Sequence, residues 1–176
     1  MSVKKYVYKM SFAYKHIWFT VAFFVATILI GYFVPLPYLE SVKEAIALLA
    51  ESLSEASPIG IFFAIFLHNI QASAILFFGG IFFAFPTVFL LGLNGLMIGN
   101  ILASVPLSSW WLILPHGVIE IPALLLVAHL GIKNADWVFK RKGYVHRFLE
   151  RLTVFCLLLI LFALAALIET CVFLLA

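Results

Sequence analysis

Apolar residues fall into five runs separated by short polar stretches: Ile17 to Val34, Ile59 to Phe78, Ile81 to Leu102, Trp110 to Leu130 and Leu152 to Leu175. Each run is close to the ~20 residues that an α-helix needs to cross a hydrocarbon core of about 30 Å. The pattern predicts an all-α, polytopic integral membrane protein with about five transmembrane helices, built as a single membrane domain over residues 1–176 with no room for a separate soluble one. Between the first two runs the period changes. From Tyr38 to Ala56, Leu39, Val42, Ile46, Leu49 and Leu53 recur at three- and four-residue steps, with glutamates mostly between them. That spacing predicts an amphipathic helix lying on the headgroups outside the membrane.

Composition agrees with the pattern. Of 176 residues, 65% are hydrophobic and 11% charged, against about 45–50% and about 25% in an ordinary soluble domain. The charges that remain are sorted. Ten of the eleven Lys and Arg precede the first run or lie between Lys133 and Arg151, whereas the loop from Pro35 to Ser57 carries Glu40, Glu44, Glu51 and Glu55 with Lys43 alone. Five crossings put both basic regions on one side, so the amino terminus is expected in the cytoplasm and the carboxyl terminus outside, in a multi-pass protein of the cell (cytoplasmic) membrane. Lys4, Lys5, Lys9 and Lys15 resemble the basic start of a secretory signal, but no A-x-A-like cleavage pattern follows, and the first run reads as a retained helix. The segment 133–151 interleaves Lys140, Arg141, Lys142, Arg147 and Arg151 with Trp137, Phe139, Tyr144 and Phe148. It is expected to hold anionic headgroups of the lipid bilayer, at about 1 kcal/mol per charge, and not nucleic acid. Cys156 and Cys171 share one run and stand about 22 Å apart along a helix, too far to bridge within it.

Helix breakers and small residues mark the third and fourth runs. Pro86 and Pro115 are expected to kink or break their helices, and irregular backbone before Pro115 suggests a re-entrant element. Gly95 and Gly99 form a small-x-x-x-small pair that admits a second helix at close range, from which self-association as a homodimer is expected.

The chemistry lies in the few polar residues within the runs. An ionisable group in hydrocarbon costs roughly 2.5–3.5 kcal/mol even on the most lenient scale, so His116 and Glu120, one helical turn apart, require partners or water. Counting helical rise from each membrane edge places Asn69 and Glu120 near the midplane, and Asn94, His116 and Glu169 in the outer half. These five, with His68, predict an intramembrane polar pocket opening outward. Asn100 reads as a hydrogen bond between helices, and His129 as an interfacial residue at the cytoplasmic edge.

His116, Glu120, His68 and Glu169 supply the donor types of a zinc or other divalent metal site. No H-E-x-x-H or C-x-x-C pattern accompanies them. Nucleophilic catalysis is equally poorly supported: no serine stands in G-x-S-x-G, and neither cysteine has a cation nearby in sequence. No catalytic residue is assigned, and a divalent metal such as zinc is the one cofactor these residues suggest.

Three strings in order, Ile65-Phe66-Leu67-His68-Asn69, Gly92-Leu93-Asn94-Gly95 with Gly99, and Leu114-Pro115-His116-Gly117-Val118-Ile119-Glu120, resemble the stage II sporulation protein M family of polytopic membrane proteins. The resemblance covers about Ser57 to Leu175. It implies that Asn69, Asn94, Gly95, Gly99, Pro115, His116, Gly117 and Glu120 occupy the family's motif positions. It further implies a membrane component that, in endospore-forming bacteria, localises two cell-wall-degrading proteins during engulfment. The expected function is therefore a non-enzymatic scaffold or subunit of an envelope assembly, with other envelope proteins as partners. Two alternatives stand beside it: a small transporter or channel using His116, Glu120 and Glu169 for protons or cations, and a metal-dependent intramembrane hydrolase.

Overall fold

Five long helices and no strand make up the described residues of the computed structural model, which are 14–34, 44, 48, 56–107, 110–137 and 142–175; for 14–16, 111–116, 136 and 175 only the backbone is described. The amphipathic segment 38–56, apart from Glu44, Leu48 and Ala56, lies outside them. The helices are α1 (Tyr14–Phe33), α2 (Pro58–Phe78), α3 (Phe85–Ser104), α4 (Trp110–Asn134) and α5 (Tyr144–Leu175). Among the described residues, four stretches are long and apolar enough to cross a membrane: Pro58–Phe82, Phe85–Ser104, Gly117–Asn134 and Tyr144–Leu174. With α1, a 20-residue helix about 30 Å long, the chain is an all-α polytopic membrane protein.

The start of α2 follows from local chemistry. Ser57 caps it, its hydroxyl accepting a bond from the Gly60 amide at 3.2 Å, and Pro58 occupies the first turn, where no amide donor is needed. At its far end α2 tightens into a 3₁₀ turn over Gly79–Phe82. The chain then reverses through Phe83 and Ala84, both left-handed at φ 57° and 60°. Consecutive left-handed residues other than glycine are costly, at roughly 1–2 kcal/mol each. They are held by Trp137, whose ring packs 5.6 Å from that of Phe83 and whose indole donates to the Ile81 carbonyl at 2.8 Å. Hence α3 begins four residues later than the apolar run, and Pro86 sits in its first turn instead of kinking its middle.

Pro115 and Pro122 are both helical residues within α4, which continues through them from Trp110 to Asn134. A re-entrant break before Pro115 is therefore not what the backbone does. A proline inside a helix removes one backbone hydrogen bond, and neighbouring helices in a membrane bundle can compensate for it.

Contacts set the order of the bundle. Gly92, Gly95 and Gly99 of α3 lie against Phe23, Thr27 and Ile28 of α1 in the same sequence order, so α1 and α3 run parallel. Asn69 pairs with Glu120 and Phe77 with Asn134, so α2 and α4 also run parallel. The tight reversal at 83–84 turns the second pair against the first. The core lies where α2, α4 and α5 meet, with Leu76, Phe77, Val127, Ala128 and Phe162 all at most 1% exposed. Phe77 stacks on Phe155 at 4.6 Å between centroids. The outer surface carries Phe63, Leu67, Phe89, Leu157 and Ile160, each more than half exposed, as a lipid-facing surface requires.

Candidate functional site

Two of the expected pocket residues meet. The Asn69 side chain, 4% exposed, donates from Nδ2 to Glu120 Oε2 at 3.2 Å, joining α2 to α4. Asn69 stands eleven residues into the 25-residue apolar helix Pro58–Phe82, roughly 17 Å from its start and so near mid-depth. Glu120 is half-buried. A carboxylate at that depth gains from a charge-assisted bond, and a buried amide that lost its acceptor would carry the cost of desolvation.

The remaining residues are arranged differently. His116 lies on α4 one turn before Glu120, and its side chain is outside the described residues. His68 is exposed on the outer surface, because one residue along a helix turns a side chain by about 100° and Asn69 takes the inward direction. Asn94 spends its amide on its own helix, donating to the Leu90 carbonyl at 2.9 Å. Glu169 is half-buried near the end of α5. Among the described residues no three His, Cys, Asp or Glu side chains gather as a metal site would need, so His68, Glu120 and Glu169 do not converge. Cys156 and Cys171 are both free and exposed.

Gly95 and Gly99 serve α1 of the same chain. A Cβ at either position would overlap α1, meeting Thr27 at the first and the Ile28 carbonyl at the second. The small-residue face is thus filled within one molecule and is not open to a second copy.

A second polar cluster, not foreseen in the sequence, closes the end of the bundle where α2 and α4 finish. Asn134 is fully buried and donates from Nδ2 to the Phe77 carbonyl at 2.9 Å, while its Oδ1 accepts from Arg151 Nη1 at 3.2 Å. The same guanidinium nitrogen donates to the Lys133 carbonyl. One side chain from α5 thereby caps the end of α4, and one from α4 caps the end of α2. Beside them Thr87, also fully buried, donates to the Leu76 carbonyl at 2.8 Å. Gly80 and Gly131 allow the two backbones to touch there. His129, expected at the interface, is fully buried. A polar residue at the end of an apolar run resembles an interfacial one in sequence; only Gly131 three positions before Asn134 hinted at a crossing.

A family model described as stage II sporulation protein M matches residues 20–172, most of the chain. No curated protein and no solved structure matches.

Proposed function

Because this chain belongs to the stage II sporulation protein M family, we propose that it is a non-enzymatic scaffold or subunit of an assembly in the cell envelope. In this reading it lies in the cytoplasmic membrane, with its amino terminus and the basic segment 133–151 on the cytoplasmic side against anionic headgroups. The basic bias of those two regions supports that orientation. Other envelope proteins are its partners.

What carries the reading is the Asn69–Glu120 hydrogen bond. It ties two helices at mid-depth through the buried Asn69 amide, which loses its acceptor when the contact is broken, so it defines one arrangement of α2 and α4 for a partner to recognise. His116, one turn outward on α4, belongs to the same polar pocket in this proposal. The test is affinity capture of the tagged chain from its native membranes, wild type beside Glu120→Leu. Specific envelope proteins are expected with the wild type and lost from the variant; their retention by a folded Glu120→Leu chain sinks the role given to this pair.

A second reading rests on Glu120 being half-buried and thus reachable from outside the core. Such a group can bind a proton or a cation in a small transporter or channel. Flux into proteoliposomes that Glu120→Gln abolishes would favour it over the scaffold.

A further inference from the structure

The outward face of α2 is chemically out of place in hydrocarbon. His68 and Gln71 are both exposed, stand one turn apart, and lie at the middle of the 25-residue apolar stretch Pro58–Phe82. They are flanked by Leu67 and Ile75, 53% and 51% exposed. Neither polar side chain finds a hydrogen-bond partner among the described residues. Lipid tails offer none either, and an amide or imidazole left unpaired in an apolar medium is strongly disfavoured.

We propose that this face is the contact between two copies of the chain, in which Gln71 and His68 pair with their own counterparts. Three properties select a second copy. Two chains inserted with the same topology can be related only by an axis normal to the membrane, so a residue near the axis meets its counterpart at the same depth. A carboxamide and a neutral imidazole each hold both a donor and an acceptor, so each can satisfy its own copy. No Asp, Glu, Lys or Arg occurs anywhere in Pro58–Phe82, so the symmetric contact brings no like charges together. The face is exposed and so distinct from the small-residue surface of α3, which α1 fills, and the proposal does not depend on the role assigned to Glu120.

Single-molecule photobleaching of the labelled full-length protein in lipid bilayers tests it. Wild type is expected to bleach in two steps down to a protein-to-lipid dilution about tenfold beyond that at which His68→Leu/Gln71→Leu falls to one step, given the modest worth of hydrogen bonds between membrane helices. Both substitutions lie on the lipid-facing surface, so the fold is retained. In parallel, Gln71→Cys in a Cys156→Ser/Cys171→Ser background is expected to form disulfide-linked dimers of this chain. Ile160→Cys, at similar depth on the exposed face of α5, is not. One-step bleaching of the wild type at every dilution overturns the proposal. So does a dimer indifferent to the double substitution, or cross-linking of Gln71→Cys to a different polypeptide.

Discussion

Substituting alanine for glycine at two positions of α4 should change stability in opposite directions. At Gly131 an added Cβ would overlap the Leu76 carbonyl oxygen and lie 3.0 Å from both the Leu76 carbonyl carbon and Thr87 Cγ2. The main obstacle is backbone, which cannot rotate aside, so α2 and α4 must move apart and the Thr87 and Asn134 bonds beside the crossing are stretched. Overpacking of this kind costs about 1–3 kcal/mol, and the rigidity of the obstacle puts Gly131→Ala at the upper end. The helix-propensity gain of alanine over glycine returns about 0.8–1 kcal/mol, for a net loss of about 2 kcal/mol. At Gly117 the same Cβ meets nothing closer than Ile121 Cδ1 at 3.5 Å, an ordinary contact. There the propensity gain stands almost alone, and Gly117→Ala should stabilise by up to about 1 kcal/mol. The two variants should therefore differ by about 3 kcal/mol, roughly a hundredfold in the unfolding equilibrium. Reversible unfolding in mixed micelles of lipid and denaturing detergent, followed by far-ultraviolet circular dichroism, measures both. Equal stability of the two variants would refute the close crossing of α2 and α4.

Three further outcomes follow from the polar contacts. Asn134→Ala removes a donor from the Phe77 carbonyl and an acceptor from Arg151 in a fully buried site, and should cost about 2–3 kcal/mol in the same assay. Thr87→Val keeps the shape but loses the bond to the Leu76 carbonyl; about 1 kcal/mol is expected, and no loss would mean that the hydroxyl bonds elsewhere. A double-mutant cycle of Asn69→Ala and Glu120→Ala should give a coupling of about 0.6 kcal/mol and below about 1.7, the range known for membrane hydrogen bonds, whereas additive effects would show that the two side chains do not meet.

Much of the architecture is legible in the chain because lipid imposes a simple rule: apolar runs of membrane length become helices. Counting rise from the membrane edge also sufficed to bring Asn69 and Glu120 to one depth, where they pair. Rotation about the helix axis was harder to read. His68 shares its depth with Asn69 yet faces outward, since apolar residues surround α2 on every side and leave no amphipathic stripe to orient it. The Gly95–Gly99 face correctly announced a close neighbour, but small residues say nothing about whether that neighbour belongs to the same chain. The reversal at Phe83–Ala84 carries no turn signature of its own, because the glycines precede it and the proline follows it. Asn134 and Arg151, which cap the helix ends, look in sequence like ordinary residues of a polar membrane edge.

The most direct test of the scaffold reading is the native mass of the particle that contains this chain, extracted gently from its own membranes and weighed by mass photometry, for wild type beside Glu120→Leu. A wild-type particle several times heavier than one or two copies of the 19.7 kDa chain, dissolved to free chain by the substitution, is the predicted result. A wild-type particle no larger than the chain or its dimer, or a large particle that Glu120→Leu leaves intact, would contradict it.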